Sequence, residues 1–594
     1  MTKLPQISDM SQITDEVTNQ IMAELTQPGS FYEVTTATIE GIEYKVFANA
    51  FQNLREMYAS SLEKDNFYAQ KVIEWYGDQD WTFMVYQDER YTFTEAYQIA
   101  AGFSKQLLEA FAIKKGDRVA IAMRNYPDFC LAFMSITAIG AIAVPLNAWW
   151  QGEELAYGIR DSQPKLIIAD EQRMERLLPH IEDLEIPMLV TRAEKPLPAK
   201  VQDLKGFLFK EKLIEFPMAD VQSADDAYIM YTSGSTGTPK GVVTTHRSII
   251  NTVMSWQMPA VGMIKLFPEM MENLRPPYRT SSLLSVPLFH VTGCVSGFLA
   301  AFYVKRKVVM MYKWNAEEAL KLVEKERVSQ VNGPPIMTWE LVNSPDFEKT
   351  DTSSIAVLGG GGAERPPEHV KELEKKMDRH IAQAGYGLTE TTALGATNSG
   401  EKYKNKPASV GRPTPPVMEA KIVDEMGKEL PTGEFGEICL KSCANFRCYW
   451  QKEKETDKAM LEGGWFRTGD AGYIDEDGYI FIKDRFKEIV IRGGENISTR
   501  EVEFAIYEHP AVSEAAVFGV PDDKLGEKLG VVIRPKREMD LTEEEMTAHL
   551  KRKLASFKIP EYIWIQTEQL PRMGTGKLFK RQLRQEKIDY LSKR

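Results

Sequence analysis

A loop rich in glycine and hydroxyl side chains is the segment of this sequence whose residue types most clearly suggest chemistry. Between two apolar stretches the chain reads Tyr231-Thr-Ser-Gly-Ser-Thr-Gly-Thr-Pro-Lys-Gly-Val242. Glycines let a backbone approach an anion, hydroxyl groups donate hydrogen bonds to it, and a lysine adds positive charge. The loop therefore predicts a phosphate-binding site, here called the phosphate loop. Its predicted contact residues are Thr232, Ser233, Gly234, Ser235, Thr236, Gly237, Thr238 and Lys240.

The phosphate loop differs from the mononucleotide P-loop. That motif requires glycine directly before its lysine and serine or threonine directly after it, whereas Lys240 lies between Pro239 and Gly241. Ordinary hydrolysis of a nucleoside triphosphate is therefore disfavoured. A flexible turn is the alternative interpretation, but linkers rarely place Pro-Lys-Gly directly before an apolar run.

Three further clusters have residue types that suit a nucleotide. Tyr386-Gly-Leu-Thr-Glu390 offers a ring that can stack on a base and a carboxylate that can bind Mg²⁺. Trp465-Phe-Arg-Thr-Gly-Asp470 ends in a carboxylate suited to ribose hydroxyls, and Leu570-Pro-Arg-Met-Gly-Thr-Gly-Lys577 ends in a lysine. Each cluster is weak alone, because a simple turn or a solvated tail explains it as well.

Two glycine-containing clusters suit the wall of a pocket, and a third lies at a predicted domain boundary. The first two are Pro287-Leu-Phe-His-Val-Thr-Gly293 and Gly359-Gly-Gly-Gly-Ala363, where a planar ligand could approach the backbone. His290 is either a pocket residue or a core histidine. The third cluster, Lys483 to Ser498, combines charged residues with a Gly-Gly turn and could also be a linker.

Helical patterns alternate with short apolar runs from Tyr91 onward, as in EAYQIAAGFSKQLLEAFAI, DRVAIAM and KLIIAD. The alternation resumes after the phosphate loop with SSLLSVPLF, KVVMMY and SIAVLGGGG. This order predicts an α/β fold in which parallel sheets are covered by helices. Ligands of such folds bind beyond the carboxyl ends of the strands, which is where the glycine-rich clusters lie.

The chain divides into three predicted parts. Residues 1–75 form an N-terminal extension of uncertain role, residues 76–484 form a large domain, and residues 485–594 form a mobile α+β C-terminal domain. Within the large domain, residues 409–484 show short strands and glycine turns typical of a small β-rich subdomain. Residues 129–146 are apolar over about a membrane-spanning length, but Gly140 and Pro145 favour a buried helix followed by a strand.

The composition of the 594 residues excludes several classes of function. The formal net charge of −12 argues against a nucleic-acid partner. The five cysteines include no CxxC pair, so neither a disulfide framework nor a zinc ribbon is indicated. The N-terminus lacks a signal-peptide pattern, and we expect a cytoplasmic protein, with peripheral contact to the inner face of a membrane as the alternative. Whether it is a monomer or a homodimer stays open.

Taken together, the order and spacing of these clusters resemble the acyl-adenylate-forming superfamily, which includes acyl-CoA synthetases, firefly luciferase and the adenylation domains of peptide synthetases. The resemblance covers residues from about 90 to about 580. It implies that the phosphate loop covers the phosphates of ATP, that Thr389 contacts the α-phosphate and that Glu390 binds Mg²⁺. The other residues that it implies for the nucleotide are Gly360, Gly361, Gly362, Ala363, Tyr386, Gly387, Asp470 and Arg485.

The resemblance also implies a two-step reaction with CoA as the second substrate. A carboxylate attacks the α-phosphorus of ATP and releases pyrophosphate, and the thiol of CoA then attacks the acyl-adenylate. Lys577 corresponds to the mobile lysine needed for the first step, and Lys487 to the hinge about which the C-terminal domain rotates. Gly493 and Gly494 would lie beside CoA after that rotation.

The acid is less well defined than the reaction. Amino-acid adenylation domains carry an aspartate in the segment corresponding to PLFHVTG, whereas this chain has Phe289 and His290 there and no carrier domain after it. We therefore expect a free-standing ligase for a medium- or long-chain fatty acid. An aryl or arylalkanoic acid, or delivery to a carrier protein instead of CoA, are the alternatives; a luciferase-like oxygenase and an inactive binding protein are more distant ones. The predicted acyl pocket comprises Phe289, His290, Val291, Trp339 and Leu388.

Overall fold

The structure, a computed structural model, describes residues 15–64, 66–181, 183–232, 239–363, 365–377, 381–537, 539–573 and 576–593. Six predicted contact residues of the phosphate loop lie outside the described residues: Ser233, Gly234, Ser235, Thr236, Gly237 and Thr238.

Several described residues of the predicted N-terminal extension pack against the large domain. Ile21 and Leu25 lie directly against Gly262, and the Phe47 amide donates a hydrogen bond to Asn251 Oδ1 at 3.1 Å. The predicted extension is thus part of the same hydrophobic core as the large domain. Its elements are α1 (Asp15–Thr26), β1 (Val34–Ile39), β2 (Ile42–Phe47), α2 (Leu54–Ser60) and α3 (Phe67–Tyr76).

The first half of the large domain alternates strands and helices as the sequence predicts. A capping box starts α4, because the Thr92 hydroxyl accepts the Glu95 amide and the Glu95 carboxylate accepts the Thr92 amide. The elements are β3 (Thr82–Tyr86), β4 (Glu89–Thr92), α4 (Phe93–Glu109), β5 (Arg118–Ala122), α5 (Pro127–Ala138), β6 (Ile142–Pro145), α6 (Gly152–Ser162), β7 (Leu166–Asp170), α7 (Glu171–Leu177), β8 (Met188–Thr191), β9 (Val201–Asp203), α8 (Lys205–Leu208), β10 (Asp226–Tyr231), β11 (Gly241–Thr245), α9 (His246–Leu266) and α10 (Pro268–Asn273).

The second half continues the pattern, with a π-helix at Thr292–Leu299 between two of its elements. The elements are β12 (Ser281–Leu284), α11 (Ala300–Tyr303), β13 (Lys307–Met310), α12 (Ala316–Glu326), β14 (Gln330–Gly333), α13 (Pro335–Val342), β15 (Val357–Gly361), α14 (Pro367–Lys376), β16 (Ile381–Tyr386), β17 (Ala396–Ser399), α15 (Gly400–Asn405) and β18 (Arg412–Pro413).

A β-rich region and a C-terminal α+β region follow. The β-rich elements are β19 (Glu419–Val423), β20 (Gly436–Lys441), β21 (Cys448–Tyr449), α16 (Glu453–Ala459), β22 (Met460–Leu461), β23 (Trp465–Ile474) and β24 (Ile480–Arg485). The C-terminal elements are β25 (Val490–Arg492), β26 (Glu495–Ile497), α17 (Thr499–Tyr507), β27 (Val512–Asp522), β28 (Gly526–Pro535), α18 (Glu543–Lys551), β29 (Tyr562–Ile565) and α19 (Lys580–Ser592).

Two large sheets form the body of the large domain, and the predicted α/β fold class is confirmed. The order β21-β11-β10-β6-β5-β7-β8-β9 makes one sheet, and β18-β17-β16-β15-β14-β12-β13-β3-β4 makes the other. Both sheets are mixed rather than purely parallel. In the first, β10 and β11 are antiparallel partners, so the phosphate loop connects two neighbouring strands of a hairpin.

The apolar stretch at residues 129–146 lies inside the protein. Every residue of α5 and of β6 is buried, which confirms the predicted buried helix and strand. A helix that is packed on all sides is apolar on all sides. This burial explains why residues 129–146 have the composition of a membrane-spanning segment. Within the described residues, no helix has both the length and the apolar character needed to cross a membrane.

Candidate active site

A cavity of about 910 Å³ lies where the large sheets, the β-rich region and the C-terminal region meet. Residues from all three regions form its wall, including Thr232, Thr468 and Asn496. The structure therefore brings together segments that are far apart in the sequence. Of the predicted site residues, the wall includes Thr232, Lys240, His290, Val291, Gly361, Gly362, Gly387, Leu388, Thr389, Glu390, Arg485, Lys487 and Lys577.

The two described ends of the phosphate loop are fastened to each other. The Thr232 amide donates to the Lys240 carbonyl at 3.0 Å, and the Lys240 amide donates to Thr232 Oγ1 at 3.4 Å. The ammonium of Lys240 lies 3.9 Å from the centroid of the Tyr449 ring, a distance at which a cation is attracted to the face of the ring. Burial lowers the pKa of Lys240, and nearby Glu390 opposes that shift.

Tyr449 also holds the carboxylate that is predicted to bind a metal ion. Its hydroxyl donates to Glu390 Oε1 at 2.8 Å. Tyr449 is opposite Val242 in the pairing of β21 with β11, so one tyrosine links the phosphate loop to Glu390. Sequence reasoning missed this residue, because a single tyrosine in Cys-Tyr-Trp carries no recognisable pattern.

The oxygen atoms around Glu390 suit Mg²⁺. This ion is usually held by one or two carboxylates together with substrate phosphates and water. Glu390 and the hydroxyl-bearing residues Thr232 and Thr389 line the same cavity, and the described residues contain no cluster of three or more metal-ligating side chains. One carboxylate and two hydroxyl groups are oxygen donors of the kind that Mg²⁺ accepts, so these residues fit the ion.

A second network joins the Tyr386, Asp470 and Arg485 side chains. The Tyr386 hydroxyl donates to Asp470 Oδ2 at 2.7 Å, and Arg485 Nε donates to Asp470 Oδ1 at 3.0 Å. Asp470 is buried, with 2% of its surface exposed, and it lies opposite Arg485 in the pairing of β23 with β24. Burial, together with the Asp470 charge, raises the pKa of the Tyr386 phenol, which therefore stays a hydrogen-bond donor. The lining of the cavity includes neither Tyr386 nor Asp470.

Lys577 of the C-terminal region lines the cavity, and hydrogen bonds from Arg572 and Met573 hold the backbone beside it. The Met573 amide donates to the Lys577 carbonyl at 2.8 Å, and Arg572 Nη1 donates to the Gly576 carbonyl at 2.7 Å. The side chain extends over Gly362, where an added Cβ would lie 3.6 Å from Lys577 Cε. Burial lowers the pKa of Lys577 to about 8, and the positive charge of Arg485 acts in the same direction.

Val286, Val291, Pro334 and Leu388 are apolar residues of the cavity wall. Beside them, burial and the nearby charge of Lys577 lower the pKa of His290 to about 3, so its imidazole is neutral near pH 7. This part of the wall therefore suits an uncharged, apolar group.

Several predicted residues lie outside the cavity wall. Phe289 is buried beside the wall with its ring 4.7 Å from that of His290, and Trp339 stacks on His369 at 3.9 Å on the side of α13 that faces the C-terminal region. Trp339 is therefore not part of the lining of this cavity, and its place in the acyl pocket stays a prediction. Gly360, Ala363, Gly493 and Gly494 are also absent from the wall.

Comparisons with known proteins show the family of this chain. A family model described as AMP-binding enzyme matches residues 74–450, and one described as AMP-binding enzyme C-terminal domain matches residues 501–577. A long-chain-fatty-acid–CoA ligase of Bacillus subtilis (strain 168) is 32% identical over 525 residues, which cover 84% of this chain and 89% of the relative.

Two solved structures with bound ligands share the fold. ATP-bound MatB from Rhodopseudomonas palustris has a TM-score of 0.74 and 25% identity, covering 88% of this chain and 99% of that chain. The o-succinylbenzoate CoA synthetase MenE from Bacillus subtilis, in complex with the acyl-adenylate OSB-AMP, has a TM-score of 0.70 and 26% identity, covering 87% and 97%.

Proposed function

Because the chain belongs to the AMP-binding enzyme family and is an AMP-forming acid–CoA ligase, we propose that it activates a medium- or long-chain fatty acid. The observation that carries this proposal is the apolar part of the wall, where His290 is uncharged. The relative from Bacillus subtilis, a long-chain-fatty-acid–CoA ligase, supports the same class of substrate.

The first step joins two anions, so the site must offset their repulsion. Lys577 and Lys240 both line the cavity, and in our proposal the Lys577 ammonium stabilises charge that develops as the carboxylate attacks the α-phosphorus. Thr389 donates a hydrogen bond to the α-phosphate. Neither Asp470 nor Tyr386 lines the cavity in this structure, and we propose that Asp470 accepts hydrogen bonds from the ribose hydroxyls and that Tyr386 stacks on adenine once ATP binds. Mg²⁺ held by Glu390 would supply further positive charge at the phosphates.

The second step requires the CoA thiol to reach the acyl carbon. Lys577 extends over Gly362 and would obstruct that approach, so we propose that the C-terminal region moves between the two steps. Lys487 lies between β24 and β25, where the β-rich region joins the C-terminal region, and we assign it the hinge. Gly493 and Gly494 have φ values of 59° and 92° in the turn between β25 and β26, and we assign this turn to CoA after the movement.

An aryl or arylalkanoic acid is the second candidate, since MenE binds an o-succinylbenzoyl adenylate. Gly361 and Gly362 line the cavity without side chains, so a planar ring could approach their backbone closely. A carrier protein is the alternative acceptor. Both alternatives share the first step with the proposed function, so the acid and the acceptor must be tested separately.

We expect pyrophosphate release to rise with chain length in a series of fatty acids, because each buried methylene adds about 0.8 kcal/mol of favourable transfer energy. Release would be measured with purified protein, ATP and Mg²⁺, with each fatty acid or aryl acid, in the presence and absence of CoA. Acyl-CoA formed with CoA alone would exclude a carrier-protein acceptor. A higher kcat/KM for aryl acids would replace the fatty-acid proposal, and a flat acid-independent baseline would contradict ligase activity altogether.

We expect kcat/KM for adenylation to fall as the pH rises through about 8. Only the protonated form of Lys577 carries the charge that the first step needs, and burial lowers its pKa to about 8; the charge is thus present below that pH and lost above it. A pH profile of pyrophosphate release measures the effect, since kcat/KM reports groups of the free enzyme. In Lys577→Arg the alkaline decline should move to higher pH, because a guanidinium stays protonated; an unmoved decline would assign it to another group.

A further inference from the structure

A stack of side chains outside the cavity connects the large domain to the C-terminal region. We call it the docking stack and define it as Trp339, His369, Tyr507 and Lys536. The Trp339 and His369 rings are 3.9 Å apart and nearly parallel, at 15°. The Tyr507 ring meets the other side of His369 edge-on, at 5.3 Å and 73°, and the Lys536 ammonium lies 5.4 Å from the Trp339 centroid.

Each half of the docking stack is fixed within its own region. Trp339 on α13 and His369 on α14 are both buried, with 7% of their surfaces exposed. Tyr507 ends α17, and its hydroxyl accepts the Ala515 amide at 3.1 Å. The stack is therefore a contact between two well-supported surfaces and not between mobile side chains.

The residue before Lys577, Gly576, contacts helix α13, which also carries Trp339 of the docking stack. An added Cβ on Gly576 would lie 3.3 Å from Pro334 Cγ and 3.6 Å from Met337 Cε. Pro334 directly precedes α13, and Met337 and Trp339 lie within it. The C-terminal region thus contacts α13 at two places, and one of them is the residue next to Lys577.

We propose that His369 is a positioning residue for adenylation, which holds the C-terminal region in the orientation that places Lys577 over Gly362. Its ring contacts Trp339 on the large domain and Tyr507 on the C-terminal region. No hydrogen-bond partner exists for His369 Nδ1 among the described residues. The contacts of the His369 ring with Trp339 and Tyr507 are the ones that would hold the two regions together.

The electrostatic surroundings of His369 agree with this role. Burial, with Arg365 and Lys536 nearby, lowers the pKa of His369 to about 3, so the ring is neutral at the pH of the assays. A phenylalanine at position 369 should therefore keep the ring contacts with Trp339 and Tyr507. An alanine should instead leave a gap between the two regions.

The first test needs no catalytic activity and measures the environment of Lys577. Trace labelling with acetic anhydride across a pH series, followed by mass spectrometry of the Lys577 peptide, gives the apparent pKa of its amine. We expect about 8 in the unaltered protein. In His369→Ala we expect a rise towards about 10.4, the ordinary lysine value, because the amine spends more time in water; in His369→Phe we expect no rise. An unchanged pKa in a folded His369→Ala protein would overturn the proposal.

The second test rests on the proposed function and separates its two half-reactions. We expect His369→Ala to lower kcat for acid-dependent pyrophosphate release by about three- to tenfold, the size of a stacking contribution. Thioester formation from supplied acyl-AMP and CoA should change less than about twofold, because it does not use Lys577. His369→Phe should restore adenylation. Equal loss of both half-reactions, or no recovery with phenylalanine, would contradict a positioning role.

Two further variants test whether the effect is specific to the docking stack. Lys536→Ala alters the docking stack from the C-terminal side without opening a buried gap, and it should raise the pKa of Lys577 in the same direction by a smaller amount. His180→Ala is the matched control, since His180 contacts Glu153 on the surface, and it should change neither readout. If the unaltered protein released no pyrophosphate with any acid, the proposed function would fail while the labelling result would still decide the role of His369.

Discussion

Lys577→Ala is expected to lower acid-dependent pyrophosphate release by about 100- to 1,000-fold, the loss typical of removing one electrostatic group from a transition state. In the same protein, thioester formation from supplied acyl-AMP and CoA is expected to stay within about threefold of the unaltered rate. The reason is positional, because Lys577 extends over Gly362 and its charge is needed only while the carboxylate and ATP combine. Single-turnover assays of each half-reaction would measure both values.

The matched control for this variant is Lys551→Ala, which removes an exposed lysine from α18 of the same region and should leave both half-reactions unchanged. Equal losses of the two half-reactions in Lys577→Ala would contradict this role. They would mean that the lysine stabilises the folded protein or binds a ligand that both half-reactions share. A loss in thioester formation alone would reverse the assignment of the two steps.

Asp470→Ala should raise KM for ATP by about ten- to a hundredfold. A hydrogen bond to a charged group contributes about 1.5–3 kcal/mol, and each 1.4 kcal/mol is about a tenfold change in affinity. Asp470 accepts hydrogen bonds from the Tyr386 hydroxyl and from Arg485 Nε. The alanine therefore leaves both the Tyr386 ring and the Arg485 guanidinium without the carboxylate that holds them in place. ATP titrations of pyrophosphate release, with calorimetric binding of ATP, would measure the effect.

Three comparisons make the Asp470 result specific. Tyr386→Phe removes one of the two hydrogen bonds and should give a smaller rise in KM for ATP. Asp477→Ala removes an exposed carboxylate of the same β-rich region that pairs with Lys406, and surface pairs contribute little, so it should match the unaltered enzyme. Thermal unfolding of each protein shows whether a loss of binding reflects a loss of structure. Unchanged affinity for ATP in a folded Asp470→Ala protein would contradict the proposed ribose contact.

The elements and the family of this protein could be predicted from the sequence because both depend on local patterns. The run of apolar residues at 129–146, interrupted by Gly140 and Pro145, indicates a buried helix and a buried strand. The structure confirms both as α5 and β6. The predicted α/β fold class and the reaction class are confirmed as well. The limits of the three predicted parts and the roles of the site residues remain predictions.

What the sequence could not predict is which side chains meet. The sequence predicts Trp339 for the acyl pocket, and no local pattern indicates that its ring packs against His369. Tyr449 has no motif of its own, yet it joins Lys240 to Glu390.

The sequence by itself therefore determined the elements, the phosphate loop between β10 and β11, and the family to which its motifs belong. Only the tertiary structure decided that Tyr386 and Arg485 share Asp470, and that Lys577 reaches Gly362 from a turn resting on α13. Local periodicity shows that a residue is buried or exposed. The identity of its neighbour depends on the packing of segments that are hundreds of residues apart in the chain.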